Sequence, residues 1–143
     1  MVMERRWVKN RMQTVAVSKL SLSQLKMNPP QPWARLTFTA GSLHLAYQLY
    51  HHRVKVGYDS VQNDISINLN YIHEVHFVIE RHIEDGQHTI TNLYENGIWL
   101  NNTKHTNRKP HLLKSRDVIL FQSHADAGVA QDKVMSVKFR ILP

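Results

Sequence analysis

The sequence contains no cysteine. Disulfides, thiolate nucleophiles and cysteine-ligated zinc are thereby removed together, and the composition fits a reducing compartment. Long apolar runs are missing as well: nothing approaches the ~20 consecutive apolar residues that a membrane helix needs. The opening Met1-Val2-Met3-Glu4-Arg5-Arg6 has charge but no apolar stretch behind it, so it does not read as a secretory signal. Glycine is scarce, at five residues, and neither a Gly-rich phosphate loop nor a Gly-x-Ser-x-Gly elbow occurs. Beyond residue 31 no stretch sustains a helical period. Together these absences argue against a membrane protein, a helical protein and the common enzyme motifs.

The 143 residues are the length of one domain, with 42% hydrophobic and 20% charged residues, enough to bury a core without staples. The formal charge of +7 is unevenly spread. Residues 1–30 hold Arg5, Arg6, Lys9, Arg11, Lys19 and Lys26 against Glu4 alone, whereas the remainder is close to balanced. A basic N-terminal segment can touch nucleic acid or an acidic partner, or merely be solvated. An arginine-rich, acid-poor leader is also a property of transit peptides.

Asn28-Pro29-Pro30-Gln31-Pro32 marks a boundary, because three prolines in four residues suit neither a helix nor a central strand. We therefore divide the chain into a basic segment, 1–30, and a β-domain, 31–143. Ser18–Leu25 alternates at period two and fits a strand or a short helix. Downstream, nine short segments read as strands: Trp33–Thr39, Leu43–Tyr50, Arg53–Val56, Ile65–Ile67, His76–Glu80, His88–Thr91, Ile98–Leu100, Val118–Phe121 and Val134–Ile141. Each is rich in β-branched or aromatic residues, and turn formers such as Asp85-Gly86 and Asn96-Gly97 separate them. Many short strands at this spacing predict an all-β, two-sheet sandwich or a barrel.

Four motifs in this series resemble the forkhead-associated (FHA) domain in order and interval. Val56-Gly57-Tyr58 with Asn63-Asp64-Ile65-Ser66-Ile67 resembles the family's glycine-arginine turn and its following Asn-Asp-Ile-x-Leu strand. Ile72-His73-Glu74-Val75-His76-Phe77-Val78-Ile79 resembles Ser-Arg-x-His-x-x-Ile. Leu93-Tyr94-Glu95-Asn96-Gly97-Ile98-Trp99-Leu100-Asn101 resembles Ser-x-Asn-Gly-Thr-x-Val-Asn, and Leu113-Lys114-Ser115-Arg116-Asp117-Val118-Ile119 resembles Leu-x-x-Gly-Asp-x-Ile. The resemblance covers about residues 33–142. It implies a sandwich of about eleven strands, of the SMAD/FHA architecture, whose loops at one end bind a phosphothreonine peptide. Gly57, His76 and Gly97 match the positions that carry the scaffold.

The positions implied to hold the phosphopeptide are Tyr58, His73, Glu74, Tyr94 and Asn96, and only Asn96 keeps the family's residue. Tyr58 offers one hydroxyl where the family has a bidentate guanidinium. His73 replaces a serine, Glu74 replaces a basic residue, and Tyr94 replaces a serine or threonine. A carboxylate beside a phosphate dianion repels it. The expectation is a phosphothreonine site that has lost its grip.

Pro32-Trp33-Ala34-Arg35-Leu36, with Asp117–Phe121, is similar to checkpoint kinases and to the N-terminal domain of mediator-of-DNA-damage-checkpoint proteins. The second resemblance implies a nuclear scaffold that dimerises with itself, with other DNA-damage or chromatin proteins as partners. Trp7, Trp33 and Trp99 are candidate contact residues, since aromatics are enriched in interface cores, and equally candidate core residues. Lys104-His105-Thr106-Asn107-Arg108-Lys109, with Lys114 and Arg116, is a basic cluster that suits nucleic acid or an acidic chromatin partner. No cofactor and no metal site are expected. If His73 and His76 lie on a strand, three residues apart, they face opposite sides, and His73-Glu74-Val75-His76 is not the helical zinc spacing. The expectation is an interaction module, not an enzyme.

Overall fold

The computed structural model describes residues 30–122 and 134–143. The basic segment before Pro30, with Trp7 and the ambiguous Ser18–Leu25, lies outside the described residues. Eleven strands form two sheets. The larger is built from β1 (Ala34–Ala40), β2 (Leu43–Leu49), β7 (Ile98–Leu100), β8 (Thr103–His105), β10 (Val118–Leu120) and β11 (Ser136–Ile141), in the order β2-β1-β11-β10-β7-β8. The smaller has β3 (Arg53–Gly57), β4 (Ile65–Ser66), β5 (Phe77–Arg81), β6 (His88–Asn92) and β9 (His111–Leu112), in the order β4-β3-β5-β6-β9. The chain is therefore the all-β two-sheet sandwich, FHA-like, that the pattern predicts.

Period-two alternation sets the faces. In β1, Leu36 and Phe38 are fully buried, while Arg35 and Thr37 beside them are half-exposed. Register carries this across the sheet: Leu36 opposes Tyr47 and Phe139, and Phe38 opposes Leu45 and Val137. Val54, Val56, Phe77, Ile79 and Ile90 supply the facing layer from the smaller sheet, and one continuous core results. Burial of each such side chain is worth about 1.5–3 kcal/mol relative to exposure.

Two strands are absent from the sequence reading, β8 and β9. Both are polar and very short, so no apolar alternation announces them. A signal for β8 does exist. Asn101 and Asn102 have φ of 49° and 71°, the paired left-handed residues of a two-residue hairpin loop, and Leu100 opposes Thr103 across it.

Trp33 belongs to the core and is 6% exposed. Its indole Nε1 donates to the His51 carbonyl at 2.9 Å, and its ring stacks on His88 at 5.2 Å. Burial of this depth removes it from the candidate contact residues.

Candidate functional site at the loop end

Three loops meet at one end of the sandwich: that between β3 and β4, that between β4 and β5, and that between β6 and β7. Backbone hydrogen bonds fasten the first two together, with Tyr58 N donating to the His73 carbonyl at 2.9 Å and Asp59 N to the Glu74 carbonyl at 3.1 Å. Asn63 reinforces the joint. Its side-chain Nδ2 donates to the Asp59 and Glu74 carbonyls, both at 2.6 Å.

Gly57 stands where these loops approach each other, and it is not among the residues of positive φ. Space decides instead. A Cβ there would collide with the Glu74 carbonyl oxygen and lie 2.8 Å from Val75 Cα, both backbone atoms. Gly97 needs both its freedom and its size: φ is 87°, and a Cβ would lie 2.6 Å from the His105 carbonyl oxygen. Its amide closes the turn by donating to the Tyr94 carbonyl at 2.8 Å.

His76 is fully buried behind this turn. Its Nδ1 accepts from His73 N at 3.1 Å, which leaves Nε2 to carry the proton and donate to the Gly97 carbonyl at 3.2 Å. Burial pushes its pKa down to about 4, so the imidazole is neutral and acts as a brace between two loops. The segment from His73 to His76 precedes β5 and bends. The strand geometry that would send these two histidines to opposite sides therefore does not hold, and both rings meet Tyr94, His73 stacked at 4.7 Å and His76 edge-on at 4.9 Å. Among the described residues no three His, Cys, Asp or Glu side chains could share a metal ion.

The five predicted site positions are all in this loop cluster; four line two clefts, and His73 is stacked on Tyr94 instead. Tyr58 and Glu74 line one of about 570 Å³, together with Asp59, Ser60, Ser66 and Asn68. Tyr94 and Asn96 line another of about 310 Å³, with Trp99, Lys104 and Phe121 among its walls. The first holds two carboxylates and no cation. Hydrogen bonds from the Gln62 side chain and the Val61 amide hold the Asp59 carboxyl below its ordinary value. The second holds one cation, Lys104, whose ammonium lies 5.9 Å from the centre of the Trp99 ring. Tyr94 and Asn96 are tied to each other, Asn96 Nδ2 donating to the Tyr94 hydroxyl at 2.7 Å.

Sequence reading overlooked Asn92. It is fully buried, its Nδ2 donates to the Tyr94 carbonyl at 2.7 Å, and its Oδ1 accepts from Tyr94 N at 3.1 Å. The same Nδ2 reaches the Thr106 and Asn107 carbonyls at 3.3 and 3.4 Å. An Asn at the inward end of a strand, just before a turn, was the available signal.

A family model of the FHA domain matches residues 54–122, from β3 through the end of β10. That span is similar to an FHA domain. Solved FHA structures share its fold. The N-terminal FHA domain of Rad53p from S. cerevisiae, crystallised with a phosphothreonine peptide, is 20% identical with a TM-score of 0.64, over 77% of this chain and 94% of that one. The MEK1 FHA domain is 24% identical with a TM-score of 0.59, over 76% and 89%. The yeast Pml1 splicing factor is 18% identical with a TM-score of 0.63, over 85% and 88%. No curated protein sequence matches the chain. The strands β1, β2 and β11 fall outside the matched span and complete the larger sheet.

Proposed function

We propose that this FHA domain is a non-catalytic protein-interaction module that has lost ordinary phosphothreonine recognition and works mainly by joining copies of a larger protein. The observation that carries the first half is the cleft between the β3–β4 and β4–β5 loops, lined by Asp59 and Glu74 with no basic residue. A phosphate dianion there meets two carboxylates in place of a charged fork, and each lost charge-assisted bond removes what makes phosphate specific. Tyr94 and His73 also fill, ring on ring, the place where the family pattern has small hydroxyl residues.

Self-association is supported by the edge strand β2, which pairs with β1 alone among the described strands and exposes Leu43 at one end. An edge with free backbone groups is a template for a second chain. On the resemblance of Pro32-Trp33-Ala34-Arg35-Leu36 to checkpoint mediators, the proposed setting is the nucleus and the DNA-damage or chromatin response.

Calorimetric titration with phosphothreonine peptides tests the first half: no phosphate-dependent binding is expected, and micromolar binding lost on dephosphorylation would refute it. Sedimentation at two concentrations tests the second. A dimer is expected, and a monomer at ~100 μM, far above a tight Kd, would sink the dimer while leaving the cleft argument intact.

A further inference from the structure

The strands of the larger sheet contain no aspartate or glutamate. They carry Arg35, Lys104, Lys138 and Arg140. Alternation and register put all four on the outer face, since their strand neighbours Leu36, Val137 and Phe139 are in the core and Lys104 opposes the outward Trp99. Arg35 directly opposes Arg140 on the neighbouring strand, and Lys138 opposes Thr37 one step along. Like charges set opposite each other cost stability. No ion pair joins any of the four to a described carboxylate. Asp117, just before β10, has its oxygens occupied by Asn101 Nδ2 at 2.9 Å and Lys114 N at 2.7 Å.

Among the described residues the face therefore carries charge of one sign, the described acids lying on the opposite sheet and in loops. Between the cations stand hydroxyls, Thr37, Thr39 and Ser136, the last two opposite each other. Arginine and lysine with serine and threonine are the side chains that meet sugar-phosphate backbones. At the far side Trp99 is half-exposed, with the Lys104 ammonium above its ring, an aromatic surface on which a base can stack beside a cation. The basic residues of segment 1–30 add the same sign.

We propose that the outer face of the larger sheet binds a single-stranded nucleic acid, its phosphates on Arg35, Lys138 and Arg140 and a base against Trp99. Hydroxyl donors and an aromatic favour a strand of nucleic acid over an acidic peptide, which would use the cations alone. The basic cluster singled out in the sequence contributes Lys104 to this face, whereas Arg108 and Lys109 lie in the loop after β8.

Fluorescence anisotropy of a labelled 20-nucleotide strand with the full chain tests this. With about three phosphates neutralised, affinity should fall roughly 20-fold between 50 and 200 mM salt. The R35Q/K138Q/R140Q variant should lose at least about tenfold, and Arg108→Gln with Lys109→Gln less than about twofold. Should the triple variant fail to fold by circular dichroism, Arg140→Gln alone, at an exposed position, should still lose about threefold. Unchanged affinity in a folded variant overturns the proposal. So does tighter binding of a duplex of equal length, or binding of a polyglutamate peptide with none of the strand, which would mark an acidic protein as the occupant.

Discussion

The rings of His73 and Tyr94 stack at 4.7 Å with 15° between their planes, joining two loops that belong to different strands of the chain. Where the FHA pattern has two short hydroxyl side chains able to bond a phosphate, this protein has two flat rings bonded to each other. The contact ties the two loops to each other through their own side chains.

Reintroducing the family's chemistry should therefore restore what the rings displaced. Tyr58→Arg with His73→Ser and Glu74→Arg supplies two guanidinium groups and a hydroxyl and removes one carboxylate. Phosphate-dependent peptide binding in the micromolar range, about −8 kcal/mol, is expected by calorimetry from the triple variant. Tyr58→Arg alone, with Glu74 still present, is expected to bind at least tenfold more weakly, about 1.4 kcal/mol.

His76 makes the fold acid-sensitive. Its pKa falls from 6.5 to about 4 because burial disfavours the imidazolium. Between those values the unfolded chain binds more protons, so stability present above pH 6.5 is lost as the pH falls toward 4. The full loss is on the order of 3 kcal/mol. Urea denaturation at pH 7 and pH 4.5 should show a smaller difference for His76→Gln than for the natural chain.

Gly57 and Gly97 should tolerate no side chain. Gly57→Ala drives a methyl into the backbone of Glu74 and Val75, at a cost of about 1–3 kcal/mol. Gly97→Ala adds a strained φ to a collision with His105 and should cost at least as much. Chemical denaturation at pH 7 reads both.

Arg116 offers the opposite case. It occupies the glycine position of the Leu-x-x-Gly-Asp pattern with φ of 81°, a conformation that costs a side-chain-bearing residue about 1–2 kcal/mol. Glycine regains most of that and loses some to the entropy of the unfolded chain. Arg116→Gly should raise stability by about 0.5–1 kcal/mol, seen as a melting temperature a few degrees higher.

Asn92 is the bracket of the Tyr94 turn, and removing it takes a hydrogen bond from four backbone groups, of which the Tyr94 carbonyl keeps the Gly97 amide. Asn92→Ala should destabilise the domain by about 2–3 kcal/mol. Faster hydrogen exchange at Tyr94 and Gly97 than at the core of β1 would distinguish loosening of this turn from a global effect.

Much of the architecture was legible in the residues because strand alternation is local. Leu36 and Phe38 against Arg35 and Thr37 announce a buried face without any knowledge of the partner strand, and Asn96-Gly97 announces its turn. The strand β9, His111–Leu112, could not be read: it exists only because β6 lies beside it to receive its hydrogen bonds.

By itself, then, the sequence determined the strand series, the turn glycines and which side chains stand at the five loop positions, all properties carried by neighbours along the chain. Only the tertiary structure decided that His73 and His76 share one side and that Gly57 is glycine for want of room. It also decided that Trp33 is core, and that Arg35, Lys138 and Arg140 stand together on a face without acids among the described residues. The reason is physical: burial, close approach and summed charge depend on residues brought together across the two sheets, and no stretch of the chain holds both partners.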